Sequence, residues 1–375
     1  MINRIAALLL LIPAAACSSD SYKLAKDAAV LSDFKQTAKL ETRWDKDVGS
    51  AGNNILLPAV TKDAVYVANA RGKVSRLNRQ TGNRVWRIDC GFTVAAGVGA
   101  GGGLVLVGGV KGELAAFSED GKLRWQTQVS SEVLDAPLIA EGIVVVRTAD
   151  GRVSGLSAAD GKRLWLYERA TPALIVRSHA GEVIRGDTVY AGMAGGKLAA
   201  IGLGSGIVIW EAIVAQPRGN TELERISDIT SAPVADEERV CAVAFQGRIA
   251  CFGLAQGNLL WSRDISSDAG LALHQNFLYV TDDKGVVSAL DKSSGSSVWK
   301  NDKLSLRRTS APFVLGDHIV VGDYEGYLHV LKAEDGSFEA RLKTDGSPIM
   351  AAPVELDGGF LAQTANGRLY SVALH

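Results

Sequence analysis

The sequence predicts an all-β fold, one eight-bladed β-propeller built from four-stranded antiparallel blades. Three observations predict it. A glycine is followed four residues later by tryptophan six times, another glycine turn lies nine or ten residues upstream of each pair, and successive tryptophans average about 42 residues apart. That period is typical of a four-stranded propeller blade. No amphipathic stretch of helical length interrupts the repeat.

The repeat unit carries the signals of four short strands. The third strand lies between the two glycine turns, as in Lys73–Leu77, and is apolar at its second and fifth positions. Such a pattern is expected of a strand covered on both faces. Glycine supplies the positive φ of tight turns. The glycine–tryptophan pairs are Gly82/Trp86, Gly121/Trp125, Gly161/Trp165, Gly206/Trp210, Gly257/Trp261 and Gly295/Trp299, with Gly336/Ala340 as a seventh copy.

The two ends of the repeat are complementary. The eighth unit stops at His375, directly after its third strand, whereas Trp44 stands near the N-terminus with no glycine turn before it. We therefore predict that the segment around Trp44 is the fourth strand of the last blade. The propeller would then span residues 41–375, and its closure would remove a free sheet edge. A large aromatic side chain at one place in each blade is most simply interblade packing.

The N-terminus has the pattern of an export signal. Arg4 precedes an apolar run from Ile5 to Ala16, which is too short to span a bilayer but typical of a signal-peptide core. The small residues before Cys17 allow two interpretations. One is an ordinary signal peptidase site with an incidental cysteine. The other, which we favour, is a resemblance to bacterial lipoprotein signals, in which Cys17 becomes the lipidated first residue.

The lipoprotein interpretation divides the chain into three parts. Residues 1–16 would be a lipoprotein signal peptide, residues 17–40 a polar lipidated tether, and the rest the propeller. Ser18 stands where aspartate is the typical inner-membrane retention signal, so the resemblance points to the outer membrane. No further apolar segment of this kind is expected to be membrane-associated, because the glycine-rich run 93–110 belongs to the repeat.

Two cysteines are placed for a disulfide. Cys241 and Cys251 are ten residues apart around a predicted hairpin turn, so they would lie opposite each other. Opposed strand residues have Cα separations compatible with a disulfide, and exported proteins meet an oxidising compartment. The alternative is that both are small buried apolar residues. Cys90 has no evident partner.

The residues that usually carry chemistry do not form a recognisable constellation. The five histidines do not pair at metal-ligand spacing, Gly204–Gly206 is a blade turn and no nucleophile motif, and most carboxylates lie in turns, where they cap the backbone. The formal net charge of −1 gives no support for nucleic-acid binding. The sequence therefore predicts no catalytic residue, no metal and no cofactor.

Two families resemble this chain. The x-A-x-D/S-G-K-x-x-W unit resembles the quinoprotein propellers, whose enzymes bind pyrroloquinoline quinone and calcium on the ring axis. The adjacent cysteine pair and long insertions of those enzymes are missing, so a quinone-dependent periplasmic dehydrogenase is the alternative function. A small-ligand or glycan-binding propeller, with its site in the axial funnel, is a further rival.

The second resemblance is more specific. The stretch Gly219–Asp228, with its G-x-T-E-x-x-R-x-x-D pattern, and the stretch Gly322–Leu328 resemble the BamB family, the propeller lipoproteins of the outer-membrane β-barrel assembly machinery. The resemblance implies a non-enzymatic scaffold at the outer membrane, facing the periplasm. It would dock the POTRA domains of BamA and assist the folding and insertion of outer-membrane proteins.

The repeat is irregular around one tryptophan. The intervals on either side of Trp210 are the longest between tryptophans, with surplus length at residues 171–182 and 216–228. Surplus length commonly forms functional loops. The BamB resemblance places partner docking on these loops, and an apolar pair beside an arginine suits such a surface. Alternatively, the apolar pair belongs to a core strand and the arginine is solvated. The residues concerned are Leu174, Val176, Arg177, Arg225 and Asp228.

Overall fold

A computed structural model describes residues 24–52, 54–172 and 174–375. The predicted signal peptide and Cys17 lie outside these residues. Within the described part, the regular elements are all strands, which form eight sheets of four. No helix there is long and apolar enough to cross a membrane. The predicted all-β, eight-bladed architecture is confirmed.

Seven blades are antiparallel meanders of consecutive strands, and the first strand of each lies innermost, next to the first strands of the neighbouring blades. Blades one to four are β2 (Ala59–Val60), β3 (Ala64–Ala68), β4 (Lys73–Asn78), β5 (Arg84–Asp89); β6 (Gly99–Gly101), β7 (Leu104–Gly108), β8 (Glu113–Ser118), β9 (Leu123–Gln128); β10 (Leu138–Ala140), β11 (Ile143–Arg147), β12 (Val153–Ser157), β13 (Arg163–Tyr167); and β14 (Glu182–Arg185), β15 (Thr188–Met193), β16 (Lys197–Gly202), β17 (Val208–Ile213).

Blades five to seven continue the same order. They are β18 (Val234–Ala235), β19 (Arg239–Val243), β20 (Ile249–Gly253), β21 (Leu259–Arg263); β22 (Gly270–His274), β23 (Phe277–Thr281), β24 (Val287–Asp291), β25 (Ser297–Asn301); and β26 (Phe313–Leu315), β27 (His318–Gly322), β28 (Tyr327–Lys332), β29 (Phe338–Lys343). Blade eight combines both chain ends: β30 (Val354–Leu356), β31 (Gly359–Gln363), β32 (Arg368–Leu374) and β1 (Leu40–Asp47).

The N-terminal strand closes the ring as the sequence predicted. Strand β1 is the outermost strand of blade eight and pairs antiparallel with β32, from Leu40 opposite Leu374 to Asp47 opposite Arg368. Just before β1, Lys39 and His375 exchange two main-chain hydrogen bonds of 2.8 and 3.0 Å. The blade that holds the two chain ends together is therefore a continuous four-stranded sheet.

The tryptophans hold neighbouring blades together, which confirms the packing interpretation. Each indole N–H donates to a main-chain carbonyl of the next blade, from Trp44 to Arg79 at 3.3 Å through Trp299 to Ala333 at 2.8 Å. Each ring also lies on the turn glycine of that blade. A Cβ at Gly82 would stand 2.4 Å from the Trp44 ring. The repeat thus needs glycine and tryptophan for one and the same contact.

One joint in the ring is built differently. Between blades seven and eight, Ala340 occupies the position of the tryptophan and is fully buried. Phe313 of blade seven and Phe360 of blade eight fill this joint, with ring centroids 6.1 Å apart. We call the joint between these two blades the seam.

The ring has two distinct rims. Connections between blades and the turns between second and third strands share one rim, as when Phe245 donates its N–H to the Asp228 carbonyl at 2.8 Å. The remaining hairpin turns share the other, as when Leu254 donates to the Glu238 carbonyl at 3.1 Å. We call them the loop rim and the hairpin rim.

Candidate partner-docking surface

The surplus length in the repeat forms two neighbouring connections on the loop rim. One joins β13 to β14 and spans residues 168–181, and the other joins β17 to β18 and spans residues 214–233. Both flank blade four. We call these connections the docking loops. They bring together the predicted site residues, which lie up to 54 positions apart in the sequence.

Asp228 joins the two docking loops. Its carboxylate accepts the main-chain N–H of Val176 at 2.7 Å and that of Gly195, in a turn of blade four, at 2.8 Å. Asp228 is only 3% exposed, so it is too deep to form a broad contact with a partner. A buried carboxylate that accepts two main-chain N–H groups fixes loop geometry. Asp228 is thus a positioning residue within the predicted site.

Arg177 is the exposed cation of the first docking loop. Its guanidinium pairs with both carboxylate oxygens of Glu132, at 2.7 and 3.1 Å, and also donates to Asn54 at 3.2 Å. The ion pair with Glu132 raises the pKa of Arg177. Nearly half of the Arg177 side chain, 49%, remains exposed. Arg177 is therefore oriented by the connection that leads into blade three and by the one that leads into blade one, while its outer face is open to solvent.

Leu174 and Val176 lie in the loop and belong to no strand. Leu174 is 39% exposed, and Val176 is half-buried above a small cavity that Arg147 and Asp228 also line. The alternative that this pair forms part of a core strand therefore does not describe the structure. Leu174 offers apolar surface, whereas Val176 mainly supports the loop.

Arg225 lies in a compact turn of the second docking loop. Glu224 accepts the N–H groups of Asn220 and Thr221 at 2.7 and 3.1 Å, and the Thr221 hydroxyl accepts the N–H of Glu224 at 3.2 Å. This reciprocal arrangement is a capping box. Arg225 donates to the Gly219 carbonyl at 3.1 Å and stays exposed. The turn is thus held by its own side chains.

Leu223, at the tip of that turn, was missed by the sequence reasoning. It is 67% exposed. The signal was available, because a leucine between two glutamates inside a capping-box turn has no core to enter. Leu223 and Leu174 are the most accessible apolar side chains of the docking loops.

A buried ionisable pair at the base of the first docking loop was also missed. Arg147, at the end of β11, donates to the Ala180 carbonyl at 2.9 Å. Glu182 opens β14 and is buried. Burial raises the pKa of Glu182 to about 8, the Asp135 carboxyl adds to the rise, and Arg147 opposes it. The signal was a charge at the end of a second strand, where most blades have a small or uncharged residue.

The outermost strand of blade four carries an apolar row. Val208, Ile209 and Ile213 of β17 are all exposed, together with Ile207 just before the strand. As the outermost strand of its sheet, β17 leaves one row of main-chain N–H and C=O groups without a partner strand. The row lies between the two docking loops in sequence, and the sequence reasoning did not single it out.

The two hairpin cysteines lie opposite each other on β19 and β20. Their Cα atoms are 4.0 Å apart and their sulfur atoms are at bonding distance. Both residues are buried, as is the free thiol of Cys90. We propose that the two cysteines form a disulfide in the exported protein.

The described residues contain no group of three or more His, Cys, Asp or Glu side chains arranged to hold a metal ion. His329 and Asp323, the most buried pair of this kind, are hydrogen-bonded at 3.0 Å inside blade seven, next to Arg307. They belong to an ionic network described below.

Comparison with known proteins places this geometry in context. Residues 70–301 match a family model described as outer membrane protein assembly factor BamB. The BamB of Burkholderia pseudomallei is 40% identical over 361 residues, covering 95% of this chain and 93% of that protein. The Escherichia coli protein of the same name is 31% identical over 345 residues, covering 88% of each.

Solved structures show the same architecture. The crystal structure of BamB from Moraxella catarrhalis superposes with a TM-score of 0.83 at 25% identity, covering 89% of this chain and all of that one. A quinohemoprotein alcohol dehydrogenase from Comamonas testosteroni superposes with a TM-score of 0.72 at 15% identity, covering 89% of this chain and 76% of that one. The second similarity concerns the fold alone.

Proposed function

Because the chain belongs to the BamB family of outer membrane protein assembly factors, we propose that it is a non-enzymatic scaffold subunit of the outer-membrane β-barrel assembly complex. Its docking loops bind the periplasmic POTRA domains of BamA. In this role it assists the folding and insertion of outer-membrane proteins. Lipidated at Cys17, it is anchored in the outer membrane and faces the periplasm.

One observation carries the proposed docking site: the hydrogen bonds of Asp228 to Val176 and Gly195. They tie two long, separate connections into one surface. Without them, each loop would have to be ordered when the partner binds, and that ordering would reduce affinity. A surface fixed in advance loses less conformational entropy on binding.

The chemistry of this surface suits an acidic partner with an apolar centre. Arg177 and Arg225 are exposed cations, and Leu174 and Leu223 are exposed apolar side chains on the same two loops. Arginine is one of the residue types that most often supply binding energy at the centre of an interface, and the leucines add apolar contact area around it. Carboxylates on the partner would pair with the two guanidiniums.

Site-specific photo-crosslinking in cells tests the docking site. A photoreactive residue at position 174 or 223 should form an adduct with BamA, identified by mass spectrometry. The matched control is position 256, where Gln256 is exposed on the hairpin rim. BamA captured equally from position 256, or from neither loop position, would refute the placement of the site.

A second role is favoured by the apolar edge of β17. We propose that an extended strand of an unfolded barrel protein adds to this edge, because strand addition satisfies the unpaired main-chain groups and the apolar row offers matching side-chain surface. Ile209→Lys should weaken crosslinking to unfolded barrel protein. Val298→Lys, on the outermost strand of blade six, is the control, and equal effects of both would contradict a role specific to β17.

An absorbance spectrum and a metal analysis distinguish the scaffold from the alternative function, a quinone-dependent dehydrogenase. The scaffold proposal predicts that the purified protein absorbs only as its own aromatic side chains do, with no cofactor band, and that it contains no stoichiometric metal. A bound chromophore that survives gel filtration would favour the enzyme. The assembly-factor names of the relatives at 30–40% identity favour the scaffold.

A further inference from the structure

The described part of the predicted tether is packed against the ring. Residues 28–39, which we call the strap, run along the outer strand of blade seven. Near its beginning, Ala29 donates its N–H to the Ser305 carbonyl at 2.9 Å. Near its end, Thr37 donates to the Glu339 carbonyl at 3.0 Å. The strap therefore follows the whole height of blade seven.

Two arginines, one in the connection that leads into blade seven and one in its outer strand, donate hydrogen bonds to main-chain carbonyls of the strap. Arg307 donates to the Ala29 carbonyl at 3.0 Å, and Arg341 donates to the Ser32 carbonyl at 3.1 Å. Carbonyls that accept from guanidinium groups form charge-assisted hydrogen bonds, which are stronger than neutral ones. Two fixed points are thus set three residues apart along the strap.

Both arginines are held by a buried network. Arg307 pairs with Asp323 at 2.8 Å, and Asp323 accepts from His329 Nε2 at 3.0 Å. The other ring nitrogen of His329, Nδ1, accepts from Arg341 at 3.2 Å. Asp323 and His329 are fully buried. Each guanidinium is therefore held by a side chain of the ring as well as by a carbonyl of the strap.

The side chains of the strap match this site. Phe34 stacks on Phe338 with ring centroids 5.3 Å apart, and the Arg341 guanidinium lies 5.0 Å from the Phe34 ring centre. Leu31 packs against the core between blades six and seven. Val30, which lies between Ala29 and Leu31 in the sequence, is 92% exposed. Leu31 and Phe34 therefore pack against the ring, whereas the side chain of Val30 faces solvent.

The strap connects the two rims. Its end lies at the hairpin rim, because Lys39 pairs with His375 just before β1. Its beginning lies at the loop rim, because Ser305 and Arg307 belong to the connection from β25 to β26. Without docking of the strap, the chain before β1 would leave the ring at the hairpin rim.

We propose that blade seven is a binding site for the strap, and that the bound strap delivers the membrane tether to the rim that carries the docking loops. This inference rests on the proposed function, in which Cys17 is the lipid anchor and the docking loops bind the partner. The loop rim is then membrane-proximal, and the hairpin rim faces away. The site takes one occupant, residues 28–39 of this chain, anchored by the apolar side chains of Leu31 and Phe34.

Docking of the strap also shortens the tether. Eleven positions separate Cys17 from Ala28, a reach of at most about 40 Å. If the strap were free, the tether would extend to Lys39 and reach about 80 Å. The bound strap thus halves the distance that the ring can move from the membrane surface.

Proteolysis of the full lipidated protein tests docking of the strap. The variant Leu31→Ser/Phe34→Ser should be cut by trypsin at Lys35 at least about tenfold faster than wild type, because two apolar anchors are lost. Val30→Ser is the matched control and should be cut at the wild-type rate. An unchanged cutting rate in the double variant would overturn the proposal. Both variants should keep the melting temperature of the ring.

A depth measurement tests the position of the rims. A fluorophore on a cysteine introduced at Lys284, on the loop rim, should be quenched more strongly by nitroxide lipids than one at Gln256, on the hairpin rim. The protein is reconstituted through its lipid into vesicles of phosphatidylethanolamine and phosphatidylglycerol. The difference should shrink in the double variant and persist in Val30→Ser. Equal quenching at both rims of the wild type would overturn the proposal.

Capture of BamA in detergent distinguishes failure of the proposed docking function from failure of the proposed strap site. The double variant keeps its docking loops, so it should capture BamA as wild type does when no membrane is present. If wild type fails to capture BamA while the proteolysis and quenching results hold, the docking function is wrong and the strap site stands. If capture is normal while those results fail, the strap site is wrong.

Discussion

The Asp228 carboxylate and the main-chain N–H of Val176 form a 2.7 Å hydrogen bond between residues 52 positions apart. Val176 lies in the docking loop before blade four, and Asp228 lies in the docking loop after it. The bond therefore joins the two docking loops directly. It makes the relative position of the two docking loops a property of the folded ring. The first prediction follows from it.

Replacing Asp228 with asparagine should loosen the docking loops. Asparagine has a single carbonyl oxygen, so one of the two main-chain N–H groups would face an amide N–H₂ group. We expect the free energy of unfolding to fall by about 2–3 kcal/mol and BamA capture to weaken. Chemical denaturation and pull-down measure the two effects. Asp264→Asn, at an exposed position, is the control and should change stability by less than about 0.5 kcal/mol.

Arg177→Glu should weaken BamA capture by about tenfold or more, while stability changes by only about 1 kcal/mol, because the Arg177 side chain of the Glu132 pair is 49% exposed. Pull-down with a titrated partner measures the loss. The double variant Arg177→Glu/Glu132→Arg restores an ion pair of reversed polarity. If capture returned with it, Arg177 would act by orienting its loop, and direct contact with the partner would be refuted.

The buried carboxyl of Glu182 should make stability depend on pH. Its pKa rises from 4.5 to about 8 in the folded protein, so the native state keeps a proton that the unfolded chain releases. Stability therefore falls as pH rises between these values and is level above them. Glu182→Gln cannot ionise and should be more stable than wild type at pH 8.5, by on the order of 1–3 kcal/mol.

Thermal unfolding from pH 5 to pH 9 measures this dependence. The difference between Glu182→Gln and wild type should shrink toward pH 5, where both side chains are neutral. Glu334→Gln, at an exposed position, should follow the wild-type curve throughout. A constant difference across this range would contradict a raised pKa at Glu182.

Cys241 and Cys251 should form a disulfide in the exported protein. Denatured, unreduced protein that begins after Cys17 should then take up one alkylating group, at Cys90, as measured by mass. Three groups would support the alternative of two buried thiols. Replacing both hairpin cysteines with alanine should lower the free energy of unfolding by about 2–3 kcal/mol relative to the oxidised wild type, and reduction of the wild type should cause a similar loss.

Closure of the ring should depend on β1. Deleting residues 41–48 should lower the melting temperature by about 10 °C or more, because blade eight loses its outermost strand and blade one loses the Trp44 contact. Trp44→Ala should cost about 3–5 kcal/mol. Val85→Ser, on the exposed outer face of blade one, is the control. An unchanged melting temperature in the deletion would contradict closure by β1.

Most of the fold could be predicted because its determinants are local and repeated. The turn glycine and the tryptophan four residues later mark the same hairpin in six blades, and Trp44 without its glycine marks the shared blade. The register of Cys241 and Cys251 followed from the centre of one turn. Each of these signals lies within about ten residues of sequence.

The strap could not be predicted from such signals. Arg341 and Ser32 are 309 positions apart, and neither belongs to a repeated motif. The polar composition of this part of the chain indicates a tether. The role of its two inward-facing residues, Leu31 and Phe34, is visible only from their contacts with the folded ring.

The docking site lies between these cases. The surplus length predicted the two connections that form the proposed site, but length does not reveal which side chains turn inward. Asp228 was predicted as a contact residue, and the structure buries it as the link between loops. Glu182 and Arg147 lie in strands, and they are buried because neighbouring blades pack together. This burial sets the pKa of Glu182, and it cannot be predicted from the local sequence.

The strap has a mechanical consequence. In the proposed function, the lipid anchor pulls on the scaffold whenever the partner moves relative to the membrane. Because the strap meets Arg307 and Arg341 before the chain reaches β1, the pull is transmitted to blade seven, and the strand that closes the ring carries no load. Free of the strap, the same pull would act on the Leu40–Leu374 pair and peel β1 from β32 one residue at a time. Blade seven thus relieves the β1–β32 pairing of blade eight of mechanical load.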